Sequence, residues 1–590
     1  MDVQQKISSA LQLHQSGHLL EAGEIYREVL AVDANNVDAL NLLGVVMQAV
    51  GDLDLAIDLI GRATDLAPDY FAPFANLGNA FQAANRLDEA LEAFRTALAL
   101  DPDSAETANN LASVFNQQGR HAEALSASEA ALKLIPDFPA AAINRGNALV
   151  GIGQAEKAVA VYLEVLAKEP SARGGWYNLG NAYFDLSNWP DAIEAYQKAL
   201  ELDTSTAQLP YNLALCLIKN DRYEEAVVGF SEALKLRPGF TDAECNRASA
   251  LRALGRTEDA IANLKRALID EPESADLHRN LALNYLQQGE FENGWKEFEW
   301  RWETPEFAEL VQDLQQPRWQ GEPLEDKTIL VTVEHGIEDE IRFARYVSLL
   351  QHRGARVVLE CSAPLTKVFA TLPGVGQCID RGLSENDVDF FVPLLSLPHV
   401  FATTMATIPC SIPYLSTPPE IRPHEIVHQS DEFKIGFAWA VRSDREDNNK
   451  QSCDVRLFEQ LFLLPGIRFF SLQAGECREA LQSVKTKAAV IDIVDTLDDF
   501  ADTAAVIDAM DMIVSVDSSV LHLAGALGKP ALGLMSRPAE YLWMDERTDS
   551  PWYPSLKLIR QPSPGDWASV FNSAEMEIRT KMVEFLDNGR

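Results

Sequence analysis

Small and apolar residues recur every 34 positions through the first half of the chain. The recurring small residues are Ala22, Ala56, Ala90, Ala124, Ala158, Ala192, Ala226, Ala260 and Gly294. In a second register, the large apolar residues are Met47, Phe81, Phe115, Leu149, Tyr183, Leu217, Leu251 and Tyr285. Such a period predicts helix hairpins, and because no single hairpin buries its apolar face alone, neighbours stack into a solenoid.

One unit shows which repeat family the pattern is similar to. It reads Trp176-Tyr-Asn-Leu-Gly-Asn-Ala-Tyr, with Ala192 and Tyr196 further along, and it resembles the tetratricopeptide repeat (TPR). We count nine such units over residues 3–308. The last unit ends in an aromatic run, residues 294–302, which we expect to cap the solenoid against the segment that follows.

A row of asparagines shares the same period, on the first helix of seven successive units. Its members are Asn76, Asn110, Asn144, Asn178, Asn212, Asn246 and Asn280. In the TPR family the first helices line the concave surface, where stacked amides offer paired donors and acceptors to an extended peptide backbone. The row resembles the asparagine ladder of O-GlcNAc transferase, which predicts a peptide-binding groove. The alternative is that these asparagines only cap helices or bridge neighbouring repeats.

The second half of the chain alternates β-branched runs with helical patterns. Residues 309–326 contain Pro317, Gly321 and Pro323 and are predicted to be a connector. An α/β half over residues 327–410 then precedes a proline-rich linker over 411–432 and a second α/β half over 433–590. This order predicts two Rossmann-like domains with a cleft between them.

Residues 512–534 carry the clearest local signal for a ligand site. A buried strand is followed by Asp517, Ser518 and Ser519, then by a helix of small residues that ends at Gly528. The helix N-terminus therefore stands at the carboxyl end of a strand, where open α/β sheets bind ligands. Its free amides and its dipole favour an anion such as a diphosphate.

The C-terminal motifs resemble those of bacterial TPR glycosyltransferases, which are related to heptosyltransferases and O-GlcNAc transferase and include flagellin glycosyltransferases. The matching motifs are residues 515–530, 549–554, 560–561 and 565–567. The resemblance implies that Asp517, Ser518, Ser519 and His522 bind the diphosphate and ribose of a nucleotide-sugar donor. The alternative makes the first two residues helix caps and His522 an interior histidine.

A turn in the first α/β half resembles the Gly-Leu-Gly-Asp turn of that family. It reads Gly336-Ile-Glu338-Asp339, and the resemblance implies that Asp339 is the base that deprotonates the acceptor hydroxyl. Glu338 stands where the family has glycine. It therefore adds a negative charge to the loop that a diphosphate or an acceptor must approach.

The first loop of the second α/β half departs further from the family. Val441 replaces a glycine, and Asn449 and Gln451 stand at positions that are arginine in relatives. We assign the remaining donor contacts to four residues of this half. They are Arg442, Lys450, Ser452 and Gln473. The alternative is that donor binding has been lost or retuned.

Composition limits the function classes that remain. A net charge of −38 disfavours nucleic acid and anionic membranes as partners. Seven scattered cysteines, the lack of a long apolar run and an N-terminus without a signal-peptide pattern predict a cytoplasmic protein without a membrane span. The segment His424-Glu-Ile-Val-His428 matches a zinc motif, but prolines precede it, so we predict no metal site.

The sequence therefore predicts a TPR solenoid followed by a GT-B-like α/β domain, acting as a protein glycosyltransferase. The sugar would pass from a nucleotide-sugar co-substrate, without a metal or other cofactor, to a Ser or Thr hydroxyl of a protein acceptor such as flagellin or another surface protein. The alternative from a different class is a non-catalytic scaffold in which a degenerate transferase domain only binds other proteins.

Overall fold

A computed structural model describes residues 3–312, 314–334, 336–380, 388–428, 432–441, 448–486 and 490–587. It divides into two compact units, Met1–Leu236 and Arg237–Arg590. In the described ranges, no helix combines the length and the hydropathy needed to cross a membrane.

The first unit consists of helices that pack in consecutive pairs. They are α1 (Val3–Gln15), α2 (Leu19–Val32), α3 (Val37–Val50), α4 (Leu53–Leu66), α5 (Phe71–Ala83), α6 (Leu87–Leu100), α7 (Ala105–Gln117), α8 (His121–Leu134), α9 (Pro139–Gly151), α10 (Ala155–Lys168), α11 (Arg173–Asp185), α12 (Trp189–Leu202), α13 (Gln208–Lys219) and α14 (Tyr223–Leu236). The residues of the small-residue register, such as Ala56 and Ala90, are completely buried.

Close packing inside a repeat explains one position of the pattern. A Cβ atom added to Gly180 on α11 would lie 2.6 Å from the ring of Tyr196 on α12. Gly146 and Tyr162 meet in the same way, at 2.4 Å. Each tyrosine hydroxyl then donates to an asparagine beside the glycine, as Tyr196 does to Asn181 at 2.6 Å. The glycine therefore lets an aromatic ring of the second helix reach the backbone of the first.

The second unit begins with repeat helices and continues into two sheets. Its helices are α15 (Thr241–Ala253), α16 (Thr257–Asp270), α17 (Ala275–Gln288), α18 (Phe291–Phe298), α19 (Pro305–Ala308), α20 (Ile337–Phe343), α21 (Val347–His352), α22 (Thr366–Phe369), α23 (Leu397–Val400), α24 (Asn448–Gln451), α25 (Glu459–Phe462), α26 (Phe500–Asp508), α27 (Ser519–Ala526) and α28 (Trp567–Asp587). Its strands are β1 (Thr328–Thr332), β2 (Arg356–Cys361), β3 (Val375–Asp380), β4 (Phe390–Pro393), β5 (Phe433–Ala438), β6 (Ile467–Ser471), β7 (Val490–Asp492), β8 (Met512–Val516), β9 (Ala531–Met535) and β10 (Leu556–Arg560).

Both sheets are parallel throughout. The first has the strand order β3-β2-β1-β4 and the second β10-β9-β8-β5-β6-β7. Strand β8 is central and all five of its residues are buried, as expected for a strand covered on both faces. The predicted fold class, TPR helices followed by parallel α/β sheets, is thereby confirmed.

The aromatic run at the end of the repeats packs against the α/β part of this unit. The buried Trp295 ring lies 5.7 Å from Phe343 of α20 and 6.5 Å from Trp552, both in edge-to-face arrangements. Nearby, the fully buried Arg301 donates to both carboxylate oxygens of Glu334, at 2.7 and 3.0 Å. The last repeat thus shares its core with the sheets, and an ion pair fixes it to the end of β1.

We predict that Gly180→Ala lowers the free energy of unfolding by about 1–3 kcal/mol, because the added methyl group overlaps the ring of Tyr196. Urea denaturation followed by circular dichroism measures the change. Gly61→Ala is the matched control, since a Cβ there meets nothing within 4 Å and alanine favours the helix by about 0.5–1 kcal/mol. Equal stability of the two variants would contradict this account of the repeat.

Candidate active site

The turn from β8 into α27 leaves the first amides of the helix without a side-chain cap. Ser518 stands at the N-cap with extended φ and ψ of −147° and 165°, but its side chain accepts no bond from the helix backbone. Its hydroxyl instead lies 2.8 Å from that of Ser515, while Ser519 begins the helix and is half-buried. The first N–H groups of α27 therefore remain available to an anion.

Asp517 is not a helix cap either. One of its carboxylate oxygens accepts from Nε1 of Trp543 at 2.8 Å, and the other lies 3.3 Å from Nε2 of His522. Burial alone would raise the pKa of Asp517, but His522, Arg342 and Trp543 hold that pKa below its usual range. Asp517 is therefore an ionised group with one polar neighbour five residues away, His522, and two from other elements, Arg342 and Trp543.

His522 is completely buried and contacts three polar groups. Its Nδ1 lies 3.0 Å from the Tyr553 hydroxyl, and its Nε2 lies 3.1 Å from Nη2 of Arg342 as well as 3.3 Å from Asp517. Unprotonated, Nε2 accepts from Arg342; protonated, it donates to Asp517. Burial and the charge of Arg342 lower the pKa of His522, so the ring is neutral near pH 7.

Arg342 joins the two α/β halves. It lies one turn after Asp339 on α20, and its Nη1 is 3.8 Å from the Asp339 carboxylate and 3.1 Å from that of Glu540. Its Nη2 reaches His522, on the other half. The Arg342 side chain therefore contacts both Asp339, the predicted general base, and His522, one of the residues predicted to bind the donor.

Two further carboxyl groups near Arg342 have perturbed pKa values. Burial raises the pKa of Glu540 to about 7; Arg342 opposes this rise, and the charges of Asp517 and Asp339 add to it. Burial also raises the pKa of Glu338, and the same two aspartates contribute. The raised pKa of Glu338 favours its protonated form and so reduces the negative charge that its position in the turn predicts.

The other two glutamates of that turn have structural partners. Glu334 pairs with Arg301 and also accepts from the backbone N–H of Leu395 at 3.3 Å. Glu340 is buried and accepts from the backbone N–H of Ser362 at 2.8 Å. These two side chains fix the ends of the turn, while Glu338 and Asp339 lie near Arg342.

The remaining residues predicted to bind the donor lie at the neighbouring strands β5 and β6. The side-chain oxygen of Gln473 accepts from the backbone N–H groups of Trp439 and Ala440, at 3.0 and 2.8 Å. The hydroxyl of Ser452 accepts from the N–H of Val441 at 3.1 Å. Both side chains therefore brace the loop after β5.

Of the two cationic residues assigned to that loop, the structure describes Lys450 but not Arg442. Lys450 is half-buried on the short helix α24. Arg442 lies outside the described residues.

Near the start of this half, residues Glu425–His428 of the zinc-like motif form a single 3₁₀ turn, which differs from the long helix that a zinc site of this type requires.

Four residues of the cluster were not predicted from the sequence. They are Arg342, Glu540, Trp543 and Tyr553. Arg342 carries a weak signal, because a cation three residues after a candidate base shares its helix face. Tyr553 falls within a motif that the family resemblance identified. Nothing in the sequence around Glu540 and Trp543 indicates their contacts.

The asparagine row makes bridges between repeats in the first unit. The side-chain N–H groups of three members donate to residues of the preceding repeat: Asn76 to Asn41 at 3.0 Å, Asn110 to Asn79 at 2.9 Å, and Asn144 to Asn109 at 2.8 Å. Asn212 lies 3.3 Å from the Tyr177 hydroxyl. Bridging, the alternative interpretation of this row, is therefore present in the structure.

The other members of the row are also half-buried. Asn178 belongs to the first unit, whereas Asn246 and Asn280 belong to the second. Asn280 donates to the backbone carbonyl of Asp276 within its own helix, at 2.9 Å. Peptide binding by the row stays a prediction.

An open cleft of about 660 Å³ lies beside the row in the first unit. It is formed by α3, α5 and α7 and lined by Val45, Gln48, Ala49, Asn76, Asn79, Gln82, Ala83 and Gln117. Five of these eight side chains are amides and none is charged. The cleft therefore offers donors and acceptors without a preference for charge.

Comparisons with protein families match both parts of the chain. The tetratricopeptide-repeat models match residues 76–141, 115–179 and 175–204, and a TPR-repeat model matches residues 248–289. Residues 468–561 match glycosyltransferase family 9 (heptosyltransferase), a segment that contains β8, α27 and Tyr553. The chain thus combines TPR repeats with a glycosyltransferase family 9 domain, which confirms the predicted resemblance.

Among individual proteins, the chain is similar to Protein FlbA of Caulobacter vibrioides, with 26% identity over 50% of this chain and 54% of FlbA. The chain therefore spans about half the length of this curated relative. A tetratricopeptide repeat protein from Parabacteroides merdae is similar in structure, with 15% identity, a TM-score of 0.36, and coverage of 42% of this chain and 98% of its own. The APC/C hetero-tetramer Cut9-Hcn1 has 20% identity, a TM-score of 0.37, and coverage of 45% and 52%.

We predict that Glu540→Gln changes how stability depends on pH. Because burial raises the pKa of Glu540 to about 7, the folded carboxyl keeps a proton that the unfolded chain loses above about pH 4.5. The stability that this proton contributes is complete below about pH 4.5 and is lost as the pH rises to about 7. Relative to the parent chain, E540Q therefore gains roughly 2 kcal/mol of unfolding free energy between about pH 5 and about pH 8.

Urea denaturation at several pH values, followed by tryptophan fluorescence, measures this difference. Glu546→Gln is the matched control, because Glu546 is exposed and lies six residues further along the same segment. A stability difference between E540Q and the parent that is constant with pH would contradict the assignment.

Proposed function

We propose that this protein is a glycosyltransferase that moves a sugar from a nucleotide-sugar donor to a Ser or Thr hydroxyl of a protein acceptor. The observation that carries the proposal is the chain of contacts from Asp339 through Arg342 to His522 and Asp517. These contacts join the two α/β halves beside the uncapped N-terminus of α27. Helix α27 lies inside the segment that matches glycosyltransferase family 9.

In this proposal the amides of the first turn of α27, Ser518, Ser519 and Arg342 bind the donor's diphosphate. Each good hydrogen bond to a charged phosphate contributes about 1.5–3 kcal/mol. The neutral His522 and the ionised Asp517 hold Arg342 and Trp543 in place around this position. Gln473 and Ser452 support the neighbouring loop, and Lys450 adds a cation near it.

The reaction would be a direct displacement. The acceptor hydroxyl oxygen forms a bond to the anomeric carbon while the bond from that carbon to the phosphate oxygen breaks. The hydroxyl proton goes to Asp339, and the nucleoside diphosphate leaves with the bonding electron pair. A positioned base of this kind contributes roughly 10²–10⁴-fold to the rate.

The acceptor would be a protein, such as flagellin or another surface protein, bound in extended form along the asparagine row. The amide-lined cleft beside Asn76 and Asn79 supports this part of the proposal, because amides pair with a peptide backbone whatever its side chains are. All seven cysteines are free, which favours action in a reducing compartment such as the cytoplasm.

One observation favours the alternative, a scaffold without catalysis. Gln473 uses its side-chain oxygen for two backbone N–H groups, and its side-chain nitrogen donates to the Ala474 carbonyl at 3.1 Å. Both ends of this predicted donor-binding side chain are therefore bonded to the protein's own backbone.

Calorimetric titration with UDP, GDP, ADP and CDP separates the two functions. A transferase binds at least one of these nucleotides, whereas a scaffold binds none.

We predict that Asp339→Asn lowers kcat for sugar transfer by about 100-fold or more, because the amide cannot take the hydroxyl proton. The measurement is transfer of radiolabelled sugar from a panel of nucleotide sugars to proteins of a strain that lacks this gene. Nucleotide affinity should change little. Asp54→Asn, an exposed first-turn aspartate of α4, is the control, and full activity of D339N would remove the base assignment.

We also predict that replacing Asn144, Asn178 and Asn212 together by alanine raises KM for the protein acceptor about tenfold, because the peptide backbone loses its amide partners. Steady-state transfer assays give KM and kcat, and hydrolysis of the donor without acceptor should be unchanged. The control replaces three asparagines outside the row, which are Asn35, Asn263 and Asn293. An unchanged acceptor KM in a folded row variant would show that the row only bridges repeats.

A further inference from the structure

Four carboxyl groups lie around the guanidinium of Arg342 at the proposed donor site: Glu338, Asp339, Asp517 and Glu540. His522 contributes no charge when neutral. The diphosphate of a nucleotide sugar would bring further negative charge into a partly desolvated space, where unbalanced like charges are costly.

We propose that Glu540 takes up a proton when the donor's diphosphate binds, and thereby frees Arg342 to pair with that diphosphate. This inference rests on the proposed function, because it concerns the same donor site. It assigns to Glu540 a positioning role that acts through Arg342. The carboxyl is neutral in the donor complex and ionised in much of the free protein above neutral pH.

The geometry selects Glu540 among the four carboxyl groups. Its Oε2 lies 3.1 Å from Nη1 of Arg342, nearer than the Asp339 oxygen at 3.8 Å, so Glu540 is the stronger competitor for that nitrogen. The same oxygen accepts from the Leu542 N–H at 3.2 Å, which keeps the carboxyl directed at Arg342. When Glu540 is neutral, its pull on the guanidinium falls to that of an ordinary hydrogen bond.

The other carboxyl groups are less suited to take the proton. Asp517 accepts from Nε1 of Trp543 and lies near the positive charge of Arg342, and both stabilise its ionised form and lower its pKa. Asp339 must remain ionised to act as the base. Burial raises the pKa of Glu338 as well. Among the described residues, however, the ion pairs of Arg342 are with Asp339 and Glu540, so protonation of Glu338 would not release the guanidinium.

The charged neighbours of Glu540 act on its pKa in both directions: Arg342 favours the ionised carboxylate, whereas Asp339 and Asp517 favour the protonated form. From α20 it faces Arg342 and Asp339; from the start of α27 it faces Asp517; and Tyr541 follows it in its own segment. Burial raises the pKa of Glu540 to about 7, so near neutral pH its protonation costs little free energy. Burial keeps the Tyr541 hydroxyl neutral by raising its pKa.

A linked proton has a measurable consequence for binding. Above the pKa of free Glu540, donor affinity should fall by about tenfold for each pH unit, because the proton must come from solution. Glu540→Gln mimics the neutral carboxyl and keeps its shape, so it should abolish this dependence. Its donor affinity at about pH 8 should then exceed that of the parent chain roughly tenfold.

The experiment is calorimetric titration of the full chain with UDP-, GDP- and ADP-linked hexoses, whose diphosphate diester does not titrate near neutral pH. Each titration is run at about pH 6 and about pH 8, in two buffers of different ionisation enthalpy, which gives the number of protons taken up. The parent and the Glu546→Gln control should take up close to one proton at about pH 8 and fewer at about pH 6. E540Q should take up none.

The outcomes separate this inference from the proposed function. Binding of a nucleotide sugar by the parent without proton uptake, or equal uptake by E540Q, overturns the role of Glu540 and leaves the transferase proposal standing. If no nucleotide sugar binds to the parent or to E540Q at either pH, the proposed function falls and the role of Glu540 falls with it.

Discussion

A buried arginine holds the two α/β halves of this protein together at the place where the proposed chemistry occurs. Arg342 is 3% exposed, and a charge in such a position is tolerated only if it is well paired and hydrogen-bonded. It finds its partners on elements far apart in sequence, Glu540 after β9 and His522 on α27. The requirement to pair one cation therefore determines where α20, α27 and the segment after β9 meet.

A second buried arginine acts on the same edge of the first sheet. Arg301, from the end of the repeats, pairs with Glu334 at the end of β1, a few residues before α20 begins. Helix α20 is thus fixed on one side by the repeat cap and on the other by the family 9 segment. Asp339 lies between the two ion pairs, so the position of the proposed base depends on both.

Much of the fold was predictable because it follows from local pattern. A 34-residue period specifies helix hairpins, and the glycine that faces Tyr196 has in-phase counterparts at Gly78 and Gly146, which also face aromatic rings. The βαβ unit around β8 was also predictable, since a buried strand, a polar turn and a small-residue helix follow one another directly. The family resemblance added Asp517 and His522, which the structure places together.

The rest of the site depends on contacts that one-dimensional pattern does not contain. Glu540 meets Arg342 across 198 positions of sequence, and no motif surrounds it. The sequence alone does not distinguish Glu334 from Glu338, two acidic residues near the predicted base. In the structure Arg301 neutralises Glu334, whereas Glu338 is not part of that ion pair. Gln473 falls within the family pattern, but its side-chain oxygen serves the loop after β5.

The central claim is that a nucleotide diphosphate binds where α20 meets the N-terminus of α27. Hydrogen–deuterium exchange of the full chain, with and without a saturating nucleoside diphosphate, tests this location directly. The account predicts slower exchange in peptides that cover residues 337–343 and 517–526, because phosphate oxygens accept from the α27 amides and order the Arg342 contacts. Slower exchange confined to the repeats, or none in either peptide when nucleotide is bound, would contradict it.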